Sequence, residues 1–318
     1  MAPEASVVAI TGATGFIGGA VARRLAAQGW LVRALVRGES RLAGPRQAGI
    51  EWVPGDLAWP ESLARLVDGA RAVVHCAGAV RGLDESDFRS ANVDGVLHLA
   101  RAAASARSAP LFVFMSSLAA REPGLSPYAA SKRAGEEALA SGGAALRRVV
   151  LRPAAVYGPG DREMRPLLRM MMRGLALVPG NGTGRFSLLY VDDLVAAVER
   201  LLILDAAPAG PFELHDGRSG GYSWPEAAGI AARLRGRPVR VLGVPAALLA
   251  AVARVNAARA RLFGAAPMLT PGKVRELGHP DWVCDNAPFC AATGWRPQVE
   301  FPEGLERTLA PRTPEGGA

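Results

Sequence analysis

"VVAITGATGFIGG", residues 7–19, is the stretch whose reading decides the fold. An apolar, β-branched run from Val7 to Thr11 leads straight into Gly12, Gly15 and Gly18, spaced three apart, and an Ala-rich helical pattern opens near Phe16. A strand that turns this tightly into a helix needs backbone free of side chains at the turn. Such a turn leaves the first helical N–H groups free to meet a pyrophosphate. A glycine turn that merely packs helix on strand is the competing reading, and the triplet alone does not separate the two.

The surrounding pattern supports the first reading. Short β-branched runs at Leu31–Val36, 51–53, Ala72–His75, Leu111–Met115 and 148–151 alternate with Ala/Leu/Arg-rich helical stretches. That alternation predicts an α/β chain built on a doubly wound parallel sheet, and near-continuous apolar strands such as "LFVFM" fit burial on both faces. From Gly174 onward Pro/Gly-rich punctuation breaks the pattern. We therefore expect a dinucleotide-binding domain over 1–173 and a smaller substrate-binding lobe over 174–318, with 186–204 packing back on the first domain.

Composition narrows the function classes. The 318 residues are half apolar and about one-fifth charged, which is the composition of a folded globular chain. The formal charge is +8, but the basic residues are nearly all arginine and read as scattered, so nucleic acid is not expected as a partner. Three cysteines form no C-x-x-C and have no histidine at ligand spacing, so neither disulfides nor a metal site is expected. The stretch "MAPEASVVAI" lacks the features of a secretory signal and no apolar run reaches the length of a membrane span, so the expected location is cytoplasmic.

Where the second strand ends, an acidic residue would bind the ribose 2′-hydroxyl of NAD; this chain has "RALVRGESR", with Arg37 and Arg41. A guanidinium pairs with a 2′-phosphate, which favours NADP, with NAD as the alternative. Asp56 in "GDL" and the segment "HCAG" (His75–Gly78) close the third and fourth strands at the edge where such cofactors bind, with His75 read as a loop residue and not a catalyst.

"SPYAASKRAGEEALA" opens with Ser126 as N-cap and Pro127 at the first helical position, so Tyr128 and Lys132 lie one turn apart on one helix face. An ammonium there should lower the pKa of the phenol and make Tyr128 a usable proton donor. The chain holds only two lysines and four tyrosines, so a chance pair at this spacing has odds of roughly 2 to 3%. Upstream, "FVFMSS" ends a strand with Ser116 and Ser117; Ser117 is the preferred group for orienting a substrate carbonyl, with Ser116 in reserve.

Together, "TGATGFIG", "GDL", "HCAG", "NVDG", "SS", "YAASK", "RPAAVYGPGD" and "YVDDL" resemble the extended short-chain dehydrogenase/reductase superfamily, the NAD(P)-dependent epimerase/dehydratase group, from about Val7 to Leu194. The resemblance implies a Rossmann fold and catalytic roles for Ser117, Tyr128 and Lys132, with Asn92 supporting the site. It also implies a cofactor held by Gly12, Thr14, Gly15, Phe16, Ile17 and Gly18, by Asp56, Leu57, Ala77 and Gly78, by Pro153 and Val156, and by Tyr128 and Lys132. Arg152 and Tyr157 fall in the segment near nicotinamide and substrate, and Arg185 at a position where sugar-nucleotide members hold a diphosphate; a plain surface arginine is the other reading of Arg185. One departure is the short segment "LAAREPGLSP" between serine and tyrosine, which shortens a wall that large polar substrates use.

Three functions remain at this level. The leading one is an NADP-dependent ketoreductase on an apolar, lipid or steroid-like substrate: "VLGVPAALLAAVARVNAARARLFG" (241–264) resembles the apolar segment of hydroxysteroid-type members, and "LTPGKVRELGHPDWVCD" (269–285) resembles a feature of bacterial members that reduce lipid ketones, including sphingoid or ceramide-type 3-ketones. The helix within 241–264 could wall a pocket, touch a membrane interface peripherally, or pack on the lobe's core. The second is a nucleotide-sugar epimerase or dehydratase with tightly held NAD(P), and the third a non-catalytic NAD(P)-binding scaffold or sensor. Members often dimerise, so a homodimer is a further expectation of the resemblance.

Overall fold

The computed structural model describes residues 6–38, 48–264 and 267–310. Val7–Thr11 (β1), Leu31–Val36 (β2), Ile50–Pro54 (β3), Ala72–His75 (β4), Leu111–Met115 (β5) and Arg148–Pro153 (β6) are parallel strands, arranged β3-β2-β1-β4-β5-β6. The order reverses between β1 and β4, where Thr11 stands opposite His75. In a sheet of this kind the crevice outside the strand ends at that reversal is where a dinucleotide lies.

Both faces of the sheet are covered, which is why its strands are apolar throughout. Helices α1 (Phe16–Ala27), α2 (Pro60–Val67), α3 (Glu85–Arg89), α4 (Gly95–Ser105) and α5 (Pro127–Gly142) follow the strands. Leu63, Leu66, Leu99, Ala103 and Leu139 from α2, α4 and α5 pack with Phe112 and Phe114 on one face. Val21 and Leu25 of α1 pack on the other, together with residues that come from far along the chain.

Ala155–Tyr157 (β7), α6 (Arg165–Met172), Leu175–Pro179 (β8), Arg185–Phe186 (β9) and Leu188–Tyr190 (β10) lead into α7 (Val191–Ile203), whose Leu194, Val198 and Leu201 join the α1 side of the core. Gly210–Leu214 (β11) then pairs in parallel with β6 and completes a seven-stranded Rossmann sheet. The lobe continues through Tyr222–Ser223 (β12), α8 (Trp224–Arg235), Arg240–Val244 (β13), α9 (Ala246–Phe263), α10 (Pro271–Gly278), Asp281–Trp282 (β14) and α12 (Phe301–Leu309), while α11 (Ala287–Thr293) returns to pack Phe289 on Phe212 of the sheet. The lobe's own core gathers Tyr157, Leu168, Tyr190, Tyr222, Ile230, Phe301 and Leu305.

Candidate active site

The glycine turn is fixed by contact as well as conformation. Gly12 has φ +74°, and a Cβ there would lie 2.6 Å from the Ala77 backbone nitrogen. At Gly18 a Cβ would stand 2.3 Å from the Gly12 carbonyl oxygen, so α1 can approach the turn only without it. Gly15 is the N-cap of α1 and offers no side-chain cap, and no acidic residue occupies the first turn. Thr14 and Gly15 are exposed, with Phe16 and Ile17 half-buried behind them. The turn therefore presents uncapped N–H groups and a positive helix end, a fit for the pyrophosphate of a dinucleotide.

Helix α5 starts where the sequence places it. Ser126 Oγ accepts from the Ala129 N–H at 2.9 Å, and Pro127 holds the first helical position. Tyr128 is half-buried against the edge of the Phe88 ring, 5.9 Å between centroids, and its phenol lies close enough to Ser117 for that hydroxyl to lower its pKa. Ser116 is directed elsewhere: its hydroxyl donates to Glu136 at 2.6 Å, and Glu136 also receives Arg152 Nε at 2.8 Å. Ser117 is thus the hydroxyl beside Tyr128.

Lys132 differs from expectation in its effect. Its Nζ donates to the Met115 carbonyl at 3.0 Å, at the end of β5, and lies over the Phe114 ring. Burial lowers its pKa to about 8, while Cys76 and Glu136 oppose that fall. The Tyr128 phenol is pushed up to about 12, by burial first, with the Ser117 hydroxyl pulling down and the Glu276 charge pushing up. The expected lowering by Lys132 is not seen: burial dominates at Tyr128, and the ammonium is engaged by the Met115 carbonyl.

Asn92 sits in a wide π-type turn (Ser90–Asp94) between α3 and α4 and is fully buried. Its Oδ1 accepts from the Ala79 N–H at 2.7 Å, and its Nδ2 donates to the Ala79 carbonyl and to Ser131 Oγ, each at 2.9 Å. Both ends of the amide are engaged by protein, so Asn92 positions the loop after β4 against α5. Gly78 lies in that loop, where a Cβ would stand 2.9 Å from Asn92 Oδ1 and 3.5 Å from Lys132 Nζ. His75 closes β4, fully buried, with Thr11 Oγ1 2.6 Å from its Nδ1. Burial, aided by the Lys132 charge, lowers its pKa to about 3, so it stays neutral and is a strand-end residue, not the loop residue expected.

The sequence profile of the NAD dependent epimerase/dehydratase family matches residues 8–211, from the first strand through α5 to the start of β11. The chain belongs to this family. It is an NAD(P)-dependent oxidoreductase of the extended short-chain dehydrogenase/reductase type. Ceramide reductase from Caulobacter vibrioides is 40% identical over 290 residues, covering 91% of this chain and 90% of that protein. A 2-alkyl-3-oxoalkanoate reductase from Stenotrophomonas maltophilia is 31% identical over 225 residues, 64% of this chain and 66% of that protein. The fold is shared with UDP-glucuronic acid 4-epimerase from Bacillus cereus, solved with UDP-glucuronic acid and NAD: TM-score 0.71 at 17% identity, covering 95% of this chain and 97% of that one.

Within this epimerase/dehydratase frame the remaining expected residues fall unevenly. Arg37 is exposed at the end of β2, while Arg41 lies outside the described residues. Asp56 accepts from the Ala58 N–H at 2.9 Å and shapes the entry to α2; the Leu57 carbonyl meets His98 Nδ1 at 3.0 Å. Ala77 is held to Thr11 Oγ1 through its N–H, Pro153 is buried at the end of β6, and Val156 is half-buried next to it. Tyr157 departs from the expected place near nicotinamide and substrate. It is fully buried between Tyr190 and Phe301, where Gly304 leaves room for its ring, because β7 points it into the lobe's apolar core. Arg185 is turned onto the Gly220 and Gly221 carbonyls and toward Glu226, so a diphosphate would have to displace internal partners.

One group at the site had no signal in the sequence. Glu276 of α10 is buried beside the start of α5, accepting from Ser126 Oγ and from Lys273 Nζ, the latter at 2.8 Å. Around it the lobe braces the short segment that links Ser117 to Tyr128. Arg275 Nε donates to the Leu125 carbonyl at 2.7 Å, and Arg121 donates to the carbonyls of Val283 and Asp281 at 2.8 and 2.9 Å. Gly272 packs so closely that a Cβ would meet Ser126 Cβ at 2.9 Å. The hydroxyls of Ser117 and Tyr128 are thereby referenced to the lobe as well as to the sheet.

Proposed function

We propose that this enzyme is an NADP-dependent ketoreductase whose substrate is an apolar, lipid-type ketone of sphingoid or ceramide character. The observation that carries the reading is the 40% identity with ceramide reductase, because that match covers 91% of the chain and so includes the lobe. The short braced segment between Ser117 and Tyr128 supports it. So does Arg185, whose guanidinium is already occupied by backbone carbonyls.

When bound, the nicotinamide supplies the hydride. The chain's own groups do the rest: Ser117 orients the carbonyl oxygen, and Tyr128, a neutral phenol at physiological pH, delivers the proton to that oxygen. Lys132, close to its midpoint near pH 8, can hold a ribose hydroxyl and feed a proton toward Tyr128. His75 and Cys76 take no part in proton transfer near neutrality, since burial lowers the first to about 3 and raises the second to about 12. Arg37, exposed at the end of β2 where an NAD-specific site would place an acid, supports NADP over NAD.

The test is loss of reduced-nicotinamide absorbance with NADPH or NADH and a panel of long-chain 3-keto lipids, steroid ketones and UDP-sugars. Net NADPH consumption with an apolar ketone is the expected result. Conversion of a UDP-sugar without net consumption would replace this reading with an epimerase. Arg37→Glu should weaken NADPH selectively, and an unchanged NADPH to NADH preference would remove Arg37 from cofactor recognition.

A further inference from the structure

The net charge of the chain is unevenly placed. From Ala227 to Arg275 there are nine lysines and arginines and no aspartate or glutamate, while the rest of the chain carries 28 basic and 29 acidic residues. The whole excess of +8 therefore resides in this one stretch, although the basic residues look scattered when read along the sequence. The stretch contains β13, α9 and the start of α10.

Helix α9 is packed the opposite way round from an ordinary surface helix. Its buried positions are Ala253, Ala257 and Ala260, which lie against α10, and its large apolar side chains face solvent: Leu248 is 55% exposed, Val252 42%, Val255 59%, Leu262 78% and Phe263 77%. At 100° per residue these five fall within a sector of about 100°. Arg259 lies inside that sector, and Arg254 and Arg261 lie on one flank. Beside α9 in sequence, β13 adds exposed Leu242, paired with exposed Leu177 of β8. Helix α9 packs on α10, which carries Glu276 beside the start of α5. Through α10 this face therefore borders the active-site region.

We propose that this face docks on an anionic phospholipid surface, with Leu248, Val252, Val255, Leu262 and Phe263 entering the headgroup and acyl boundary and the arginines meeting lipid phosphates. A protein partner with an apolar groove would satisfy the side chains but would give no reason for Arg254, Arg259 and Arg261 among and beside them on a helix that carries no acid. A bilayer interface satisfies both, since interfacial helices combine an apolar sector with Lys/Arg and long arginine stems can lie along lipid while their heads reach phosphate. No helix of the described residues is long and apolar enough to cross a membrane, so contact is confined to the interface. The inference stands on the surface alone and does not need the ketoreductase reading.

Flotation of the full chain with phosphatidylcholine vesicles, with and without phosphatidylglycerol, tests it. The protein should float with the anionic vesicles and stay in solution with the neutral ones, and binding should fall with added salt. Arg254→Glu with Arg261→Glu should lower binding by more than about tenfold. Val252→Asp with Leu262→Asp should do the same, with secondary structure and thermal midpoint retained because both positions are exposed. No flotation with anionic vesicles, or flotation indifferent to these substitutions, overturns the proposal. So does a stable dimer by light scattering that the apolar substitutions break apart, since the face would then be covered by a second copy.

Discussion

Replacing Lys132 by methionine should stabilise this protein while destroying its activity. The ammonium is buried, and its pKa falls from the ordinary 10.5 to about 8. At pH 7 that lowering means folding pays about 3 kcal/mol to keep the charge out of water. Methionine keeps the length of the side chain without the charge, and loses the hydrogen bond to the Met115 carbonyl, which contributes about 1 kcal/mol. The balance is about 2 kcal/mol in favour of the variant, read as a higher urea midpoint at pH 7. The pH dependence gives a second test. Folded Lys132 releases its proton near pH 8 and the unfolded chain's lysine near 10.5, so between these values the unfolded state holds more protons and wild-type stability rises. The advantage of the variant should therefore shrink from pH 8 to pH 10.5. A variant no more stable at pH 7, or a gap that stays constant across that window, would refute the account of a strained, functionally retained ammonium.

Tyr128→Phe should bind NADPH as the wild type does and lose turnover by about 10²- to 10⁴-fold, measured in steady-state reduction; full turnover would remove Tyr128 as proton donor. Glu276→Gln removes a negative charge that raises the Tyr128 pKa, so the alkaline limb of the kcat profile should move to lower pH, and an unmoved limb would disconnect α10 from the phenol. Gly18→Ala would put a Cβ 2.3 Å from the Gly12 carbonyl, and should both weaken cofactor binding by fluorescence titration and destabilise the fold by about 1–3 kcal/mol.

The sheet was legible because its strands are buried on both faces and therefore spell continuous β-branched runs, and because Ser126 and Pro127 mark the start of α5 without help from the rest of the chain. Strand β11 was not, since "GPFEL" begins with two residues that usually punctuate loops and acts as a strand only because β6 offers it an edge. Glu276 was equally hidden, 150 residues from the Ser126 hydroxyl it accepts. Tyr157 and Lys132 show a different limit. Their types and positions were readable, but the direction of one ring and the acid strength that burial imposes on the other belong to packing. Helix α9 reverses the usual inference from amphipathic pattern, because small side chains, and not large ones, make its inward face.

The bracing of the segment between Ser117 and Tyr128 by residues 271–283 has a consequence in time. A chain emerging from the ribosome has the glycine turn and strands β1 to β6 in hand once residue 153 is out, and domains begin to fold as units while synthesis continues. The brace arrives more than a hundred residues later. Over that interval Ser126 lacks the Glu276 carboxylate and the Leu125 carbonyl lacks Arg275, so the geometry of Ser117 and Tyr128 settles only after the glycine turn and the first six strands have been made.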